Sequence, residues 1–189
     1  MTTFENVKRC TLCAAQLPNP PKPILQFNPK AKILIAGQAP GQIAHDAGVP
    51  FQDASGERLR SWMGVTENTF YDATQVAILP MAFCYPGRGK SGDLAPSSEC
   101  AKHWHAALLS ELKACELILV VGKYAMRYHL GIVNTAVTSV VADWDYEGNR
   151  YFPLPHPSPR NNIWLRRNPW FEERCVPLLQ NRVRSLLEY

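Results

Sequence analysis

The sequence predicts an α/β protein, an open parallel sheet with helices on both faces, and three observations lead there. Apolar runs at Lys32–Gly37, Gln75–Leu79 and Glu116–Gly122 show no polar alternation, as strands buried on both faces do. Helical patterns lie between these runs, the order expected of a parallel sheet with crossover helices. Apolar residues make up 46% of the 189, enough for a core, and charged residues 19%, too few for a disordered chain. One domain over 1–189 is therefore expected, with a cysteine-containing N-terminal segment at 1–30 and a helical tail at 168–189.

The elements follow in order. Prolines clustered at Pro18–Pro29 and Pro153–Pro159 read as irregular connections. The first strand is Lys32–Gly37, followed by a short helix at Gly56–Met63. After the second strand, a Gly/Pro/Ser-rich loop runs from Tyr85 to Glu99. A helix then spans Ser97–Ala114, with Ser97 and Ser98 as caps and Ala101, Trp104, Leu108 and Leu112 at helical spacing. The third strand leads into a helix at Lys123–Leu130 that Gly131 closes. Arg150–Leu154 is a weaker fourth strand, stopped by Pro155. Asn168-Pro169 opens the tail helix, which Pro177 is expected to divide.

Composition excludes several classes. The longest clean apolar run, Leu117–Val121, is far short of the ~20 residues of a membrane span. The opening residues show no basic stretch followed by an apolar one, so a cytoplasmic protein is expected. No feature demands a protein partner, and a monomer is expected. The net charge of +4 is mild, but Arg160, Arg166, Arg167, Arg174, Arg182 and Arg184 crowd the last thirty residues. Such a patch is either a phosphate-contacting surface or a solvated helix face.

In open α/β sheets, ligands sit beyond the carboxyl ends of the strands. That rule selects Gln38–Gly41, Pro80–Pro86, Gly122–Lys123 and His156–Arg160. Gly37-Gln38-Ala39-Pro40-Gly41 lacks the Lys-Ser/Thr of a triphosphate loop, yet its tight turn suits backbone N–H groups to a polar ligand. His156-Pro157-Ser158-Pro159 is stiffened by its prolines. A neutral imidazole held there donates to an oxygen gaining negative charge. The alternative is a proline-rich surface turn with an incidental histidine. His45, His103, His105 and His129 lack such a context and are expected on the surface or on helix faces.

Cys10-Thr-Leu-Cys13 precedes the first strand, the wrong place for a thioredoxin-like motif, and no second C-x-x-C completes a zinc ribbon. Cys84 and Cys100 flank the Tyr85–Glu99 loop, which can bring them to the N-terminal pair. Four thiolates at uneven spacing suit an iron–sulfur cluster somewhat better than structural zinc, and an unligated set stays open. Cys115 and Cys175 read as small buried side chains.

Taken together, these motifs resemble the uracil-DNA glycosylase superfamily, and most closely its iron–sulfur branch, family four and its relatives. Gly37–Gly41 is similar to that branch's G-E-A-P-G loop. Gly48-Val49-Pro50-Phe51 with Gly56 and Leu59 is similar to its G-x-P-F…G-x-x-L stretch, and His156–Pro159 to the superfamily's H-P-S-P loop. The four cysteines match in order and neighbourhood, and the resemblance runs from about Cys10 to Arg160.

The resemblance implies a three-layer α/β/α sandwich with a central four-stranded parallel sheet. It implies a structural [4Fe–4S] cluster on Cys10, Cys13, Cys84 and Cys100. It implies hydrolysis of the N-glycosidic bond of uracil or another damaged base, flipped out of single- or double-stranded DNA. Phe51 would stack on the base, backbone groups of Gln38 and Ala39 would meet its edge, and His156 would stabilise the departing anion. Ser158 and Arg160 would meet the DNA.

The departures from the family pattern are equally specific. The superfamily's first family has Asp at the position of Ala39, and family four has Glu at that of Gln38. Gln38 can orient a water but cannot take its proton, and general-base help is typically worth about 10²–10⁴ in rate. Asp46 and Asp53 are the nearby substitutes. The family's base-reading Asn aligns with Pro80, and its intercalating Leu with Arg160. These departures raise an alternative: a catalytically weak or inactive module of the same fold that binds damaged DNA. A generic α/β cofactor-binding protein with structural zinc is a third reading, opposed by the H-P-S-P loop and the cysteine spacing.

Overall fold

The computed structural model describes residues 2–187. Helix α1 (Thr3–Lys8) is closed by a capping box between Thr2 and Glu5, and the chain passes Cys10 and Cys13 into a 3₁₀ turn at Ala14–Gln16. Strand β1 (Ile33–Ala36) is followed by α2 (Gln42–Ala47), α3 (Ala54–Met63) and α4 (Glu67–Phe70), then by β2 (Val76–Ile78). A small hairpin, β3 (Arg88–Gly89) and β4 (Gly92–Asp93), precedes α5 (Ser98–Glu111). Then come β5 (Leu117–Val121), α6 (Gly122–Leu130), α7 (Val137–Asp143), β6 (Tyr151–Leu154) and α8 (Asn162–Arg167). A π-turn at Phe171–Cys175 runs into α9 (Val176–Leu187).

The central sheet has the order β2-β1-β5-β6, all parallel. Ile33 pairs with Val76 on one side and Leu117 on the other. Consecutive residues Ile33, Leu34, Ile35 and Ala36 are all fully buried, as are Leu117, Leu119, Val120 and Val121, because helices cover both faces. Each of these Ile, Leu and Val side chains contributes roughly 1.5–3 kcal/mol of burial free energy. Pairs α1–α5 and α3–α9 flank the sheet, giving three α/β/α layers. Pro153 is tolerated because β6 is an edge strand. The chain moves from β1 outward to β2, then crosses back to β5 on the other side of β1. The sheet therefore has its topological switch point between β1 and β5.

Several expectations need correction. Ser97 is the N-cap residue of α5 but makes no side-chain cap; its hydroxyl accepts from the Cys13 thiol at 3.5 Å instead. Pro177 does not divide the tail. The wider π-turn before it relieves the clash between its ring and the preceding turn, so the helix continues. Asn168 donates to the Trp164 carbonyl and accepts from the Trp170 indole, so its side chain ties two tryptophans together instead of capping a helix. His105 is fully buried, stacked on Phe83 at 5.4 Å, and His129 lies 6.4 Å from it with Nε2 enclosed and unpartnered. Among the described residues, no helix is long and apolar enough to cross a membrane.

Candidate active site

Beyond the carboxyl ends of the strands lies a cavity of about 390 Å³, lined by Gly37–Gly41, Pro50, Phe51, Asp53, Pro80, Asp93, His156, Ser158, Arg160 and Asn161 among others. That size is within the range of small-ligand sites. The sequence-predicted residues Gln38, Ala39, Phe51, Pro80, His156, Ser158 and Arg160 thus converge, although up to 122 positions separate them.

The turn after β1 is held from below. Carbonyls of Gly37 and Gln38 accept the Met81 and Ala82 N–H groups at 3.0 and 3.1 Å. The Gln38 carbonyl is thereby engaged within the fold, and the Gln38 side chain makes no hydrogen bond to any described residue.

Phe51 is non-glycine yet has φ 56°, in the left-handed region. Such strain persists only where the surroundings over-determine it. Here the Tyr71 hydroxyl reaches the Pro50 and Phe51 carbonyls at 3.0 and 3.1 Å. Gly56 supplies the space, since a Cβ there would stand 1.8 Å from the Phe51 oxygen. The Phe51 ring meets Phe70 edge-on at 6.2 Å and lies against Gly37. Burial raises the Tyr71 pKa, the neighbouring Arg60 opposing, so the hydroxyl stays a donor.

His156 faces the cavity from the loop after β6. Its Nδ1 accepts the Ser158 N–H at 3.2 Å, which leaves the ring proton on Nε2. Its carbonyl accepts from the Asn161 side chain at 2.7 Å. Burial lowers the His156 pKa below its ordinary value, with the charges of Asp53 and then Asp93 pulling the other way. The imidazole is therefore neutral at pH 7 and a hydrogen-bond donor. Arg58 clamps this loop, donating to the Ser158 carbonyl at 3.1 Å and the Asn162 side chain at 2.7 Å. Sequence reasoning missed Arg58, whose only signal is its place on the helix following Phe51.

Pro80 is buried and presents its ring to the cavity, while its carbonyl accepts from His105 Nε2 at 3.0 Å. Asp46 is outside the cavity, bonded to Gln42 at 2.7 Å, which corrects its candidacy. Asp53 lines the cavity but caps α3 through the Gly56 N–H at 3.1 Å. Asp93, on a hairpin the sequence reading left as loop, also enters the cavity wall. Arg160 spans to that hairpin, donating to the Ser91 carbonyl at 3.0 Å.

Cys10, Cys13, Cys84 and Cys100 line a second cavity, of about 160 Å³, with Leu17, Pro23, Phe83 and Leu94. N–H groups point at its sulfurs: the Trp104 indole at Cys10, 3.2 Å, and the Phe83 amide at Cys100, 3.4 Å. Burial pushes the Cys100 thiol up to about 12 and raises Cys84, the other cysteines adding to both. Among the described residues, no three His, Cys, Asp or Glu side chains are placed to hold a single metal ion. Cys115 and Cys175 are buried and apart.

The family model described as the uracil DNA glycosylase superfamily matches residues 25–180.

Proposed function

The chain belongs to the uracil DNA glycosylase superfamily, and from that premise we propose that it removes uracil or another damaged base from DNA by hydrolysing its N-glycosidic bond. The observation that carries this reading is the convergence of the His156 loop and the Gly37–Gly41 turn on one base-sized cavity beyond the carboxyl ends of the strands. The target nucleotide swings out of the stack into this cavity, at a cost of a few kcal/mol in lost stacking. Phe51, fixed by Tyr71 and Gly56, offers its ring as a stacking surface. The N–H groups of Gln38 and Ala39 meet polar atoms on the base edge, which leaves the Gln38 side chain to orient water. As the bond to C1′ lengthens, negative charge builds on the base, and the neutral His156 donates from Nε2 to its carbonyl oxygen. Losing one such donor costs about 2.7–4 kcal/mol, or 10²–10³ in rate.

The family four likeness brings a [4Fe–4S] cluster into the same proposal. The all-thiol donor set, the shared cavity and the N–H groups aimed at sulfur suit a cluster. Cys10, Cys13, Cys84 and Cys100 would hold it, and once bound it would cross-link the N-terminal segment to the root of the hairpin and to α5. It is expected to make anaerobically purified protein brown, with about four irons per chain. Colourless protein with stoichiometric zinc would remove the cluster from the account.

The decisive test is a panel of single-stranded and duplex oligonucleotides carrying uracil, hypoxanthine or xanthine, treated with wild type and His156→Ala. The proposal expects abasic sites on at least one substrate from wild type and a loss of about 10²–10³ in the variant. If no abasic site forms on any substrate and His156→Ala changes only binding, the protein is a damage-binding module. Pro80 and the missing loop carboxylate are the features that favour that outcome.

A further inference from the structure

Resting on the glycosylase reading above, we propose that Asp93, delivered by the β3–β4 hairpin, is the catalytic carboxylate that takes the proton of the attacking water. The turn at 37–41 carries no carboxylate, and the cavity contains two from elsewhere, Asp53 and Asp93. Asp53 is committed to the first turn of α3 through its bond to Gly56. The Asp93 carboxylate has no hydrogen bond or ion pair to any described residue. It reaches over the turn: a side-chain carbon on Gly41 would stand 3.5 Å from its Oδ2. A carboxylate thus lies against the turn although none is encoded within it. Asp93 is also near enough to His156 for its charge to act on the imidazole.

The hairpin is docked where this requires. Arg160 donates to the Ser91 carbonyl, and Gly92, at φ 140°, leaves the guanidinium its place, since a Cβ there would stand 2.1 Å from Nη1. Arg160 therefore ties the element carrying Asp93 to the loop carrying His156.

The water oxygen bonds to C1′ while the C1′–N bond breaks and its electron pair leaves on the base. The His156 Nε2–H stabilises that anion, and the water's proton passes to Asp93. The sugar keeps a hydroxyl at C1′, and the base anion then takes up a proton. Gln38 orients the water, a task an amide can perform without accepting the proton.

The experiment compares wild type, Asp93→Asn, Asp93→Glu and Asp46→Asn in single-turnover cleavage, alongside affinity for the same DNA carrying a non-cleavable 2′-fluoro lesion. Asp93 is on an exposed hairpin, and melting temperatures check that each variant folds. Asp93→Asn is expected to lose about 10²–10⁴ in rate while its Kd moves by no more than about threefold. Asp93→Glu should regain part of the rate, and Asp46→Asn should match wild type. If wild type cleaves and Asp93→Asn cleaves within about threefold of it, Asp93 is not the base and the glycosylase reading stands. If rate and affinity fall together, Asp93 binds DNA and the catalytic assignment fails. A wild type that cleaves nothing overturns the glycosylase reading, and this assignment with it.

Discussion

His156 draws its properties from two neighbours and from its burial. Ser158 fixes the tautomer, Arg58 holds the loop, and burial keeps the ring neutral. Because burial lowers its pKa, the neutral ring, with Nδ1 accepting from Ser158, persists below pH 6.5 and is lost only when pH falls through the lowered value. Base removal is therefore expected to stay constant from pH 8 to about 6.5 and to decline on the acid side; a decline beginning at higher pH would contradict a neutral donor. Phe51 gives a second residue-scale test. Gly56→Ala drives a methyl into the Phe51 carbonyl, so the variant is expected to lose about 1–3 kcal/mol of stability and most of its activity. Denaturant melts and the cleavage assay read both, and an unchanged midpoint would contradict the packing. Single residues were legible in the sequence where chemistry and punctuation coincide, as in His156-Pro157-Ser158-Pro159. Arg58 and Tyr71 were not, because their work is done on backbone carbonyls brought near only by folding.

At the scale of elements, β1, β2 and β5 were legible because two-sided burial leaves an uninterrupted apolar signature, whereas β6, interrupted by Pro153, left a weaker one. The strand-end rule then selected three of the segments that build the cavity, those after β1, β2 and β6. The hairpin was not legible: Arg88 to Asp93 contains no alternation, and its two-residue strands are set by docking against Arg160 and not by propensity. Helices α2 and α7, of six and seven residues, also left no periodic trace. The helix after the His156 loop carries Arg166 and Arg167, both exposed, whereas Arg182 is occupied by the Tyr146 and Asn149 carbonyls at 3.3 and 3.2 Å. The basic patch is thus narrower than the sequence suggests. Replacing Arg166 and Arg167 by Ala is expected to reduce the slope of log affinity against log salt by about two. An unchanged slope would remove α8 from the DNA interface.

Across the whole molecule, the fold's buried histidines couple stability to pH. Burial lowers His105 and His129 to about 4 from an ordinary 6.5. Between those values the unfolded chain binds protons that the native state excludes, so stability is full above pH 6.5 and falls as pH drops toward 4. For His105, the more deeply buried, this amounts to about 3 kcal/mol. Urea melts at pH 7.5 and 5 should show the loss, and His105→Gln should shrink it; equal stability at both pH values would contradict the burial of a neutral ring. The same architecture gathers one set of loops around one cavity and four cysteines around a second. The claim on which the function rests is that the first cavity receives an extruded nucleobase. A crystal structure with DNA carrying a non-cleavable 2′-fluoro form of the preferred lesion tests it directly. The base should lie on Phe51 with its carbonyl oxygen within hydrogen-bond distance of His156 Nε2. A base left stacked in the DNA, or bound away from the turn at 37–41, would contradict the account.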